Sequence, residues 1–495
     1  MTKSNYWKRI YAVILTSAAA ASGQNLTTLA NFNGTDGEQA AGALVQGADG
    51  SLYGTTYLGG YLHCNGTGCG TVYKFTPDGK LITLYIFCNN TFPNCPDGAN
   101  PSGLTLATDG NFYGTTFGGG TGSSCRENTI NGCGTVFKIT PAGEFKTLYT
   151  FCAQPNCSDG EEPAGGLIQA ANGDFYGTTE FGGASTATRY STSFGTVFKI
   201  TTTGKLTTLH RFHGSDGADP TTLIQATDGN FYGTTYDGGA YGKGEPGNSG
   251  TVFKITPAGT LTTLYSFCGQ TRCPDGSVPN SLVQGIDGNF YGATMDNGEN
   301  EEGTIFEITP GGELTTLHTF CSIQPYCADG AIPMGVIQAT DGNFYGATRS
   351  NGVNGWGTVF AITAEGTLTT LYSFNGFDGA IPGANLLQAT NGNFYGTTTG
   401  GGTYTVGTLF GLSMGLGQFV KTLPAAAKVG AEIGVLGTQL TEASSVTLNG
   451  IPARFSVRSA SLILATIPSG ATTGYLTVTT PSGMLTSNAP FYIVP

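Results

Sequence analysis

Charged side chains and histidines are scarce in this sequence, and both shortages narrow the range of possible functions. Charged residues make up 11% of the chain, and 20 Lys and Arg face 32 Asp and Glu, for a formal net charge of −12. Such a lysine-poor, negative surface repels phosphate backbones, so we expect no nucleic-acid partner. There are four histidines and no CxxC motif, a combination that disfavours a zinc site. We therefore expect neither a metal nor a cofactor.

Catalytic motifs and long apolar runs are missing as well. The sequence contains no GxSxG, HExxH or P-loop pattern. Its one extended apolar run, residues 10–21, follows Lys3, Lys8 and Arg9 and ends at a small-residue site, Ala21-Ser22-Gly23. This run is shorter than the roughly 20 residues of a membrane span. It predicts instead an export signal over residues 1–23, and hence a mature protein without a membrane span that is secreted, periplasmic or at the cell surface.

Glycine and aromatic residues are abundant. The 80 glycines show no Gly-X-Y period, which excludes collagen. Aromatic residues reach 11%, which excludes a disordered low-complexity chain. Short runs of Val, Thr and aromatic residues between Gly-rich and Asn-rich turns are typical of an all-β protein.

The dominant pattern is an eight-residue motif, DGNFYGTT at residues 109–116, which returns with small changes along the chain. The copies lie on average about 57 residues apart, a spacing typical of repeat architectures. Seven copies are present, with their tyrosines at Tyr53, Tyr113, Tyr176, Tyr232, Tyr291, Tyr345 and Tyr395.

Each period contains four strand-like runs. In the fourth period they span residues 222–226, 230–235, 250–256 and 261–267, and tight turns at Asp228-Gly229 and 257–259 separate the first from the second and the third from the fourth. Four antiparallel strands repeated seven times predict a seven-bladed β-propeller over residues 24–415. An additional copy of the fourth run stands alone at residues 26–32. We expect it to pair with residues 407–412 and to close blade seven, leaving no open edge.

Strand alternation places all tight turns on one face and all variable loops on the other. The distance in sequence from the motif tyrosine to the next Gly-Thr, which spans the variable loop, is 17 to 21 residues in repeats one to four and 12 in repeats five to seven. Long loops on a rigid scaffold commonly carry binding sites. The aromatic residues in these loops do not repeat, and such rings suit stacking against sugars. The alternative to a binding role is that these rings pack beneath their loops. The candidates are Tyr57, Tyr61, Phe117, Phe181, Tyr190, Tyr236 and Tyr241, with Trp356 in a short loop.

The twelve cysteines form six close pairs. Blade-to-blade loops that contain two cysteines are 8 to 10 residues long, measured from the strand-end phenylalanine to the next Asp-Gly; those without cysteine measure 4. Cysteines therefore accompany insertions, and local disulfides that staple the loops explain this better than metal binding. The predicted bridges are Cys64–Cys69, Cys88–Cys95, Cys125–Cys133, Cys152–Cys157, Cys268–Cys273 and Cys321–Cys327.

A second motif, Asp-Gly, occurs in every blade-to-blade loop just before the innermost strand. One hypothesis is a ring of carboxylates at the channel mouth that binds a cation or a polar ligand. The alternative is that each aspartate bonds to its own turn. The residues concerned are Asp36, Asp97, Asp159, Asp216, Asp275, Asp329 and Asp378.

After residue 408 the repeats stop, and residues 416–495 show alternating short strands typical of a small antiparallel sandwich. The repeated pattern LxQAxDGNFYGTT, followed by GTVFKITPxGxLTTLYSF, resembles the bacterial GloVer tandem repeat of exported proteins over residues 26–412. The order of strands is also similar, more weakly, to NHL-type propellers. Residues 418–495 are similar to IPT/TIG domains, which are immunoglobulin-like modules of surface and secreted proteins. These resemblances imply a fold and no specific activity.

We therefore expect an exported, non-catalytic and monomeric binding protein that recognises a glycan or an extracellular partner through the long-loop face. One alternative is a secreted polysaccharide lyase or hydrolase, by analogy with other propellers. Another is a structural or adhesive surface protein. Convergent acids and bases in one pocket would favour the enzyme.

The cysteine pattern yields a direct prediction. Non-reducing peptide mapping of the exported protein by mass spectrometry should recover six bridges, each between cysteines adjacent in sequence. A bridge between two different loops, or free thiols in protein recovered from an oxidising compartment, would contradict the stapling hypothesis.

Overall fold

A computed structural model describes residues 25–494 of the chain, apart from 41, 62–63, 65, 90, 92–93, 122–131, 184–192 and 243–248. The regular secondary structure of the described residues is almost entirely β-strand, with two short 3-10 helices at Pro155–Cys157 and Leu440–Glu442. None of the helices found there is long and apolar enough to span a membrane. The predicted export signal lies outside the described residues.

The repeats form four-stranded antiparallel sheets that resemble propeller blades. The chain begins with β1 (Asn25–Asn31) and continues with sheet 1, made of β2 (Val45–Gln46), β3 (Leu52–Thr56), β4 (Thr71–Phe75) and β5 (Leu81–Ile86). Sheet 2 contains β6 (Ala99–Leu106), β7 (Phe112–Gly118), β8 (Thr135–Ile139) and β9 (Phe145–Thr150). Sheet 3 contains β10 (Glu161–Gln169), β11 (Phe175–Phe181), β12 (Thr196–Ile200) and β13 (Leu206–Arg211).

The later repeats continue the same order of strands. Sheet 4 contains β14 (Ala218–Gln225), β15 (Phe231–Asp237), β16 (Thr251–Ile255) and β17 (Leu261–Ser266). Sheet 5 contains β18 (Ser277–Gln284), β19 (Phe290–Asp296), β20 (Thr304–Ile308) and β21 (Leu314–Thr319). Sheet 6 contains β22 (Ala331–Gln338), β23 (Phe344–Ser350), β24 (Thr358–Ile362) and β25 (Leu368–Ser373). Sheet 7 contains β26 (Ala380–Pro382), β27 (Leu387–Gln388), β28 (Phe394–Gly400), β29 (Thr408–Ser413) and β1.

Strand β1 completes the last sheet from the start of the chain. It pairs antiparallel with β29, with Leu26 opposite Leu412 and Asn31 opposite Thr408. Its register shifts between Thr28 and Ala30, and the outer strand of sheet 4 shows the same irregularity against Val252 and Phe253. This is the pairing expected from the isolated copy of the fourth run. It covers the strand edge that β29 would otherwise present to solvent.

Aromatic stacks join neighbouring sheets. The ring of Tyr113, for example, lies 4.1 Å from that of Phe175 in the next sheet, centroid to centroid, and its hydroxyl donates a 2.9 Å hydrogen bond to Asp109 Oδ2. A buried phenol requires such an acceptor. Because the motif contains both tyrosine and phenylalanine, each of sheets 2 to 6 supplies one half of two stacks, while sheets 1 and 7 each supply one half of a single stack. The pairs are Tyr53–Phe112, Tyr113–Phe175, Tyr176–Phe231, Tyr232–Phe290, Tyr291–Phe344 and Tyr345–Phe394.

A second inter-sheet contact uses a left-handed residue at the start of each sheet. Three residues after each Asp of the Asp-Gly motif the backbone adopts a positive φ, as at Asn100 (57°). The backbone N–H of this residue donates to a carbonyl of the preceding sheet, in Asn100 to Cys69 at 2.8 Å. At Gln39 the acceptor is Val406, so sheet 1 is bonded to sheet 7 in the same way. The residues concerned are Gln39, Asn100, Glu162, Asp219, Val278, Ile332 and Ile381.

Beyond the repeats, residues 420–493 form their own sheets around one buried cluster that includes Val435, Val446, Ile463, Val478 and Phe491. One sheet has the order β30 (Lys421–Leu423), β32 (Glu432–Leu436), β36 (Leu462–Thr466) and β35 (Arg454–Val457). The other has the order β34 (Ile451–Pro452), β33 (Ser445–Leu448), β37 (Leu476–Thr480) and β38 (Gly483–Thr486), and β31 (Ala426–Ala427) pairs in parallel with β39 (Tyr492–Ile493).

This C-terminal unit packs on the tight-turn side of sheets 1, 2 and 7. Leu436 shares a buried cluster with Leu104 and Leu106. The Ser461 hydroxyl donates a 2.7 Å hydrogen bond to the Ala48 carbonyl, and the hydroxyls of Thr390 and Thr438 lie 3.0 Å apart. The long-loop face therefore stays clear of the C-terminal unit.

Closure by β1 predicts a large stability effect. A protein that lacks residues 1–31 should melt at a clearly lower temperature than one that lacks only residues 1–24, because its β29 loses an entire antiparallel partner. Differential scanning calorimetry of the two truncations makes the comparison. Equal melting temperatures would show that closure by β1 contributes nothing to stability.

Candidate functional site

The aspartates of the Asp-Gly motif bond within their own loops. Six of them accept a hydrogen bond from a tyrosine or histidine on the outermost strand of the preceding sheet. The tyrosine pairs are Asp97 with Tyr85 (3.0 Å), Asp159 with Tyr149 (2.7 Å), Asp275 with Tyr265 (2.9 Å) and Asp378 with Tyr372. The histidine pairs are Asp216 with His210 (2.9 Å) and Asp329 with His318 (3.1 Å). Asp36 has an alanine at this strand position and accepts from the backbone of Asn33. Six of the seven carboxylates thus point to outer strands and the seventh to its own turn, so the geometry favours the turn-forming alternative over a ring of carboxylates.

Asp329 shows how completely such a carboxylate is used. The residue is 0% exposed, and it accepts hydrogen bonds from the Ser322 backbone and hydroxyl and from the Ile323 backbone, besides facing His318. Burial raises the pKa of Asp329, but the hydrogen bonds from His318 and Ser322 lower it by more than burial raises it. The pKa therefore lies below its usual value. Such a group is a structural element of its loop.

The cysteine predictions are confirmed wherever the structure describes both partners. Disulfides link Cys64–Cys69, Cys88–Cys95, Cys152–Cys157, Cys268–Cys273 and Cys321–Cys327. The predicted bridge Cys125–Cys133 is not among them, because Cys125 lies outside the described residues. The sulfurs of the first two bridges lie within 4.8 Å of one another. Those sulfur atoms are already engaged in disulfides, which leaves no thiolate to bind a metal.

The aromatic candidates divide into exposed and half-buried rings. Tyr61, Tyr236 and Tyr241 are 53, 39 and 54% exposed, and Trp356 also faces solvent. Tyr57, Phe117 and Phe181 are half-buried. Tyr190 lies outside the described residues. The exposed rings favour the stacking hypothesis, and the half-buried ones combine contact with their loops and partial access from solvent.

Two positions that recur in every sheet meet on the long-loop face, at the inner strands. One is the left-handed residue at the start of the first strand, and the first strands of sheets 2 to 6 contact one another in succession. The other follows the Thr-Thr or Ala-Thr pair at the end of the second strand, where the sheets carry Tyr57, Phe117, Glu180, Tyr236, Met295, Arg349 and Thr399. The Nδ2 of Asn100 donates a 2.8 Å hydrogen bond to the Tyr57 carbonyl and so joins the two positions.

Acidic groups and tyrosines concentrate here in one cluster. Burial raises the pKa of Tyr57, and the charges of Glu162 and Glu180 raise it further. Burial likewise raises the pKa of Tyr236, followed by the charges of Asp237, Asp296, Glu180 and Asp219. Glu180 belongs to sheet 3 and Tyr57 to sheet 1, so these groups interact past the intervening sheet 2. We call this set the mouth cluster: Tyr57, Glu162, Glu180, Asp219, Tyr236, Asp237 and Asp296.

Asp237 is the most constrained of these carboxylates. It is 6% exposed, and its Oδ1 accepts no hydrogen bond from the described part of the chain. Burial raises its pKa. A buried acceptor without a donor is costly, and a donor group on a ligand or a water would relieve that cost.

Of the mouth cluster, only the two tyrosines are among the site residues predicted from the sequence. Its carboxylates come from three sheets, and their shared location follows from the arrangement of the sheets. A signal was available, because Glu162 and Asp219 occupy the residue before proline in the Asp-Gly-x-x-Pro pattern, which carries Val278, Ile332 and Ile381 in sheets 5 to 7. Chemically, the cluster offers hydrogen-bond acceptors beside phenol rings.

The loop carboxylates lead to a prediction about His318. Changing His318→Leu leaves the buried Asp329 without its side-chain partner on β21 and should lower the free energy of unfolding by about 1–3 kcal/mol at pH 7. His318→Tyr, which installs the residue of sheets 1, 2, 4 and 6, should retain stability.

The same pair predicts a pH dependence. Since the folded-state pKa of Asp329 lies below its ordinary value, this stabilisation is complete above the ordinary value and is lost as the pH falls through the lower one. Urea titrations from neutral to acidic pH should therefore show a shrinking difference between wild type and His318→Leu. A constant difference would refute the coupling.

The chain is similar to several solved structures at low sequence identity. Among solved structures, the extracellular domain assigned to a hybrid two component system of B. thetaiotaomicron is 12% identical over 96% of this chain and 60% of its own, with a TM-score of 0.49. A protein assigned as a 6-phosphogluconolactonase from Bacteroides fragilis NCTC 9343 is 18% identical, covers 67% of this chain and 82% of its own, and has a TM-score of 0.40. A luciferin-regenerating enzyme is 11% identical, with coverages of 80% and 98% and a TM-score of 0.40. Comparison with curated proteins gives no significant match.

The family comparison covers most of the chain. The model of the Gloeobacter/Verrucomicrobia repeat matches residues 14–154, 122–327 and 279–442, in three overlapping tandem stretches. These stretches include all seven copies of the motif and the sheets that the copies form. The chain therefore belongs to the Gloeobacter/Verrucomicrobia repeat family.

Proposed function

We propose that this protein is an exported, non-catalytic binding protein that recognises a glycan through the mouth cluster and the long loops around it. In this proposal, sheets 1 to 7 are the blades of a seven-bladed propeller, and residues 416–495 are an immunoglobulin-like sandwich of the IPT/TIG type. The proposal concerns the long-loop face, which the C-terminal unit leaves accessible.

The contrast between framework and mouth positions carries the proposal. The stacked tyrosines and the buried threonine pairs at the strand ends, such as Thr235 and Thr251, recur from sheet to sheet. The residue just after the second Thr, at the end of the second strand, is of six different types in the seven sheets, although the backbone around it repeats. A position that is free to vary on a repeated backbone is not required for the fold. Its side chains are therefore available for a ligand.

The chemistry of the mouth cluster suits a sugar. Tyr236 offers an accessible ring face, and ring stacking of this kind contributes about 0.5–1.5 kcal/mol. The carboxylates of Asp237 and Asp296 near it are acceptors for sugar hydroxyls. The concentration of negative charge, within a chain of net charge −12, favours neutral or amino sugars over uronic or sulfated ones.

The disulfides support the extracellular part of the proposal. Bridges of this kind persist in oxidising compartments and are rare in the cytosol. The predicted export signal at residues 1–23 would deliver the chain to such a compartment. Loops stapled at Cys64–Cys69 and Cys88–Cys95 also lose less conformational entropy when a ligand binds.

A glycan array probed with the exported protein tests the proposal. We expect binding to neutral or amino-sugar glycans, and a two- to tenfold loss of affinity for Tyr236→Ala and Tyr57→Ala, which corresponds to about 0.5–1.5 kcal/mol per stacking contact. Tyr404→Ala, a change of an exposed tyrosine in the short loop of sheet 7, is the matched control and should leave affinity unchanged.

Melting temperatures separate binding from folding effects. The proposal requires that the two mouth variants melt as the wild type does while they lose affinity. It fails if no glycan binds, or if Tyr404→Ala weakens binding as much as the mouth variants.

A further inference from the structure

A cleft of about 470 Å³ lies on the opposite, tight-turn side, between sheets 1 and 7 and the C-terminal unit. Its apolar walls include Leu29, Leu52, Phe75 and the ring of Tyr395, and the C-terminal unit contributes Thr438 and Gln439 to its rim. This volume lies within the roughly 300–1,000 Å³ of small-molecule sites, which occur preferentially at domain interfaces and have mostly apolar linings.

The cleft exists because the repeat pattern is interrupted at the junction of sheets 7 and 1. The motif tyrosines of sheets 1 to 6 stack on a phenylalanine of the next sheet, but the residue that faces Tyr395 in this order is Leu52. The strand position opposite the motif tyrosine carries Lys in sheets 1 to 4, and in sheet 7 it is Gly411. Tyr395 is consequently half-buried, whereas the other six motif tyrosines are buried.

In sheet 1, the turn between the third and fourth strands also lies farther from the preceding sheet than it does in sheets 2 to 6. In sheets 2 to 6 the glycine of the turn between the third and fourth strands packs against a leucine on the outer strand of the preceding sheet. A Cβ added to this glycine would lie less than 3.0 Å from the carbonyl oxygen of the leucine, as at Gly259 and Leu209. At Gly79 of sheet 1, an added Cβ would meet nothing within 4 Å. The smaller side chains and the displaced turn therefore open the same space.

Hydrogen bonding leaves Tyr395 with a donor to offer. In sheets 1, 2, 4, 5 and 6 the motif tyrosine donates to an aspartate, but in sheet 7 the residue is Asn391, whose Nδ2 donates to the Tyr395 oxygen at 2.8 Å. The backbone N–H of Asn393 donates to Asn391 Oδ1 at 3.0 Å, which fixes the orientation of the amide. The hydroxyl proton of Tyr395 is thus not donated to Asn391.

The charge at the rim is balanced. Asp49, the one ionisable side chain among the described lining residues besides Tyr395, lies 2.6 Å from Lys74 Nζ. A ligand therefore meets an apolar surface, one phenol donor and no net charge. Charged ligands would lose hydration without a compensating partner.

We propose that this cleft binds a small, uncharged aromatic carbonyl compound. Its ring would lie against Tyr395 between Leu29, Leu52 and Phe75, and its carbonyl oxygen would accept the hydrogen bond of the Tyr395 hydroxyl. The site is separate from the mouth cluster, and the two proposals stand independently.

Acetophenone, a neutral aromatic ketone, is the probe for the test. Saturation-transfer NMR should detect its binding to the wild-type protein, with a dissociation constant at or below about 1 mM. Gly411→Lys restores the residue of sheets 1 to 4 over the ring, and Leu52→Phe restores the stacking partner; each should weaken binding at least tenfold. An added Cβ at Gly411 would lie 3.2 Å from the tip of the Leu29 side chain, which can rotate away, and in ordinary van der Waals contact with the Tyr395 ring at 3.4 and 3.6 Å.

Ala361→Lys is the matched control, because it places the same lysine opposite Tyr345 in sheet 6, away from the cleft. This variant should bind acetophenone as the wild type does, and all variants should retain the wild-type melting temperature. If acetophenone does not bind at about 10 mM, or if Gly411→Lys and Leu52→Phe both bind as tightly as Ala361→Lys, the proposal is wrong. Glycan binding at the mouth cluster should be unchanged by Gly411→Lys, so the two proposals can fail separately.

Discussion

The stacking of one buried tyrosine on the next sheet is the interaction on which the rest of the structure depends. A four-stranded sheet of this length cannot bury both of its faces alone. The motif tyrosine covers one face by stacking on the following phenylalanine, and the turn supplies a hydrogen-bond partner for its phenol: an aspartate that accepts in sheets 1, 2, 4, 5 and 6, and an asparagine that donates in sheets 3 and 7. A single octapeptide thus provides the turn, the stack and the satisfied hydrogen bond, and its repetition yields a series of equivalent interfaces.

Departures from the repeat have structural consequences where they occur. The glutamine at the end of the first strand accepts a hydrogen bond from a backbone N–H of the preceding sheet. The Oε1 of Gln225, for example, lies 3.1 Å from the backbone nitrogen of Ala171. In sheet 2 this residue is Leu106, and it is there that Leu436 of the C-terminal unit joins the buried core. At the junction of sheets 7 and 1, Leu52, Asn391 and Gly411 replace larger or charged residues of the motif, and the cleft results. The exchanged side chains thus mark the surface on which the C-terminal unit sits.

The carboxylates separate into two groups with different roles. Six of the seven in the Asp-Gly motif face tyrosine or histidine on the outer strands, and Asp36 bonds to its own turn; all of them hold their loops. Those of the mouth cluster stand at positions that differ from sheet to sheet and lie beside Tyr57 and Tyr236. A feature that all repeats share belongs to the framework here, while a feature that a few neighbouring repeats carry lies where a ligand has access.

The sequence by itself determined the all-β class, the positions of the strands, the partner of β1 and the local disulfides. These depend on turn chemistry, side-chain alternation and cysteines a few residues apart, all of which act over short distances. Only the tertiary structure decided which way Asp97 or Asp329 points, because the choice rests on a tyrosine or histidine of an outer strand competing with solvent. It alone also brought Glu180 near Tyr57, and Gly79 and Tyr395 to one cleft, since residues from separate sheets meet only once the sheets are packed.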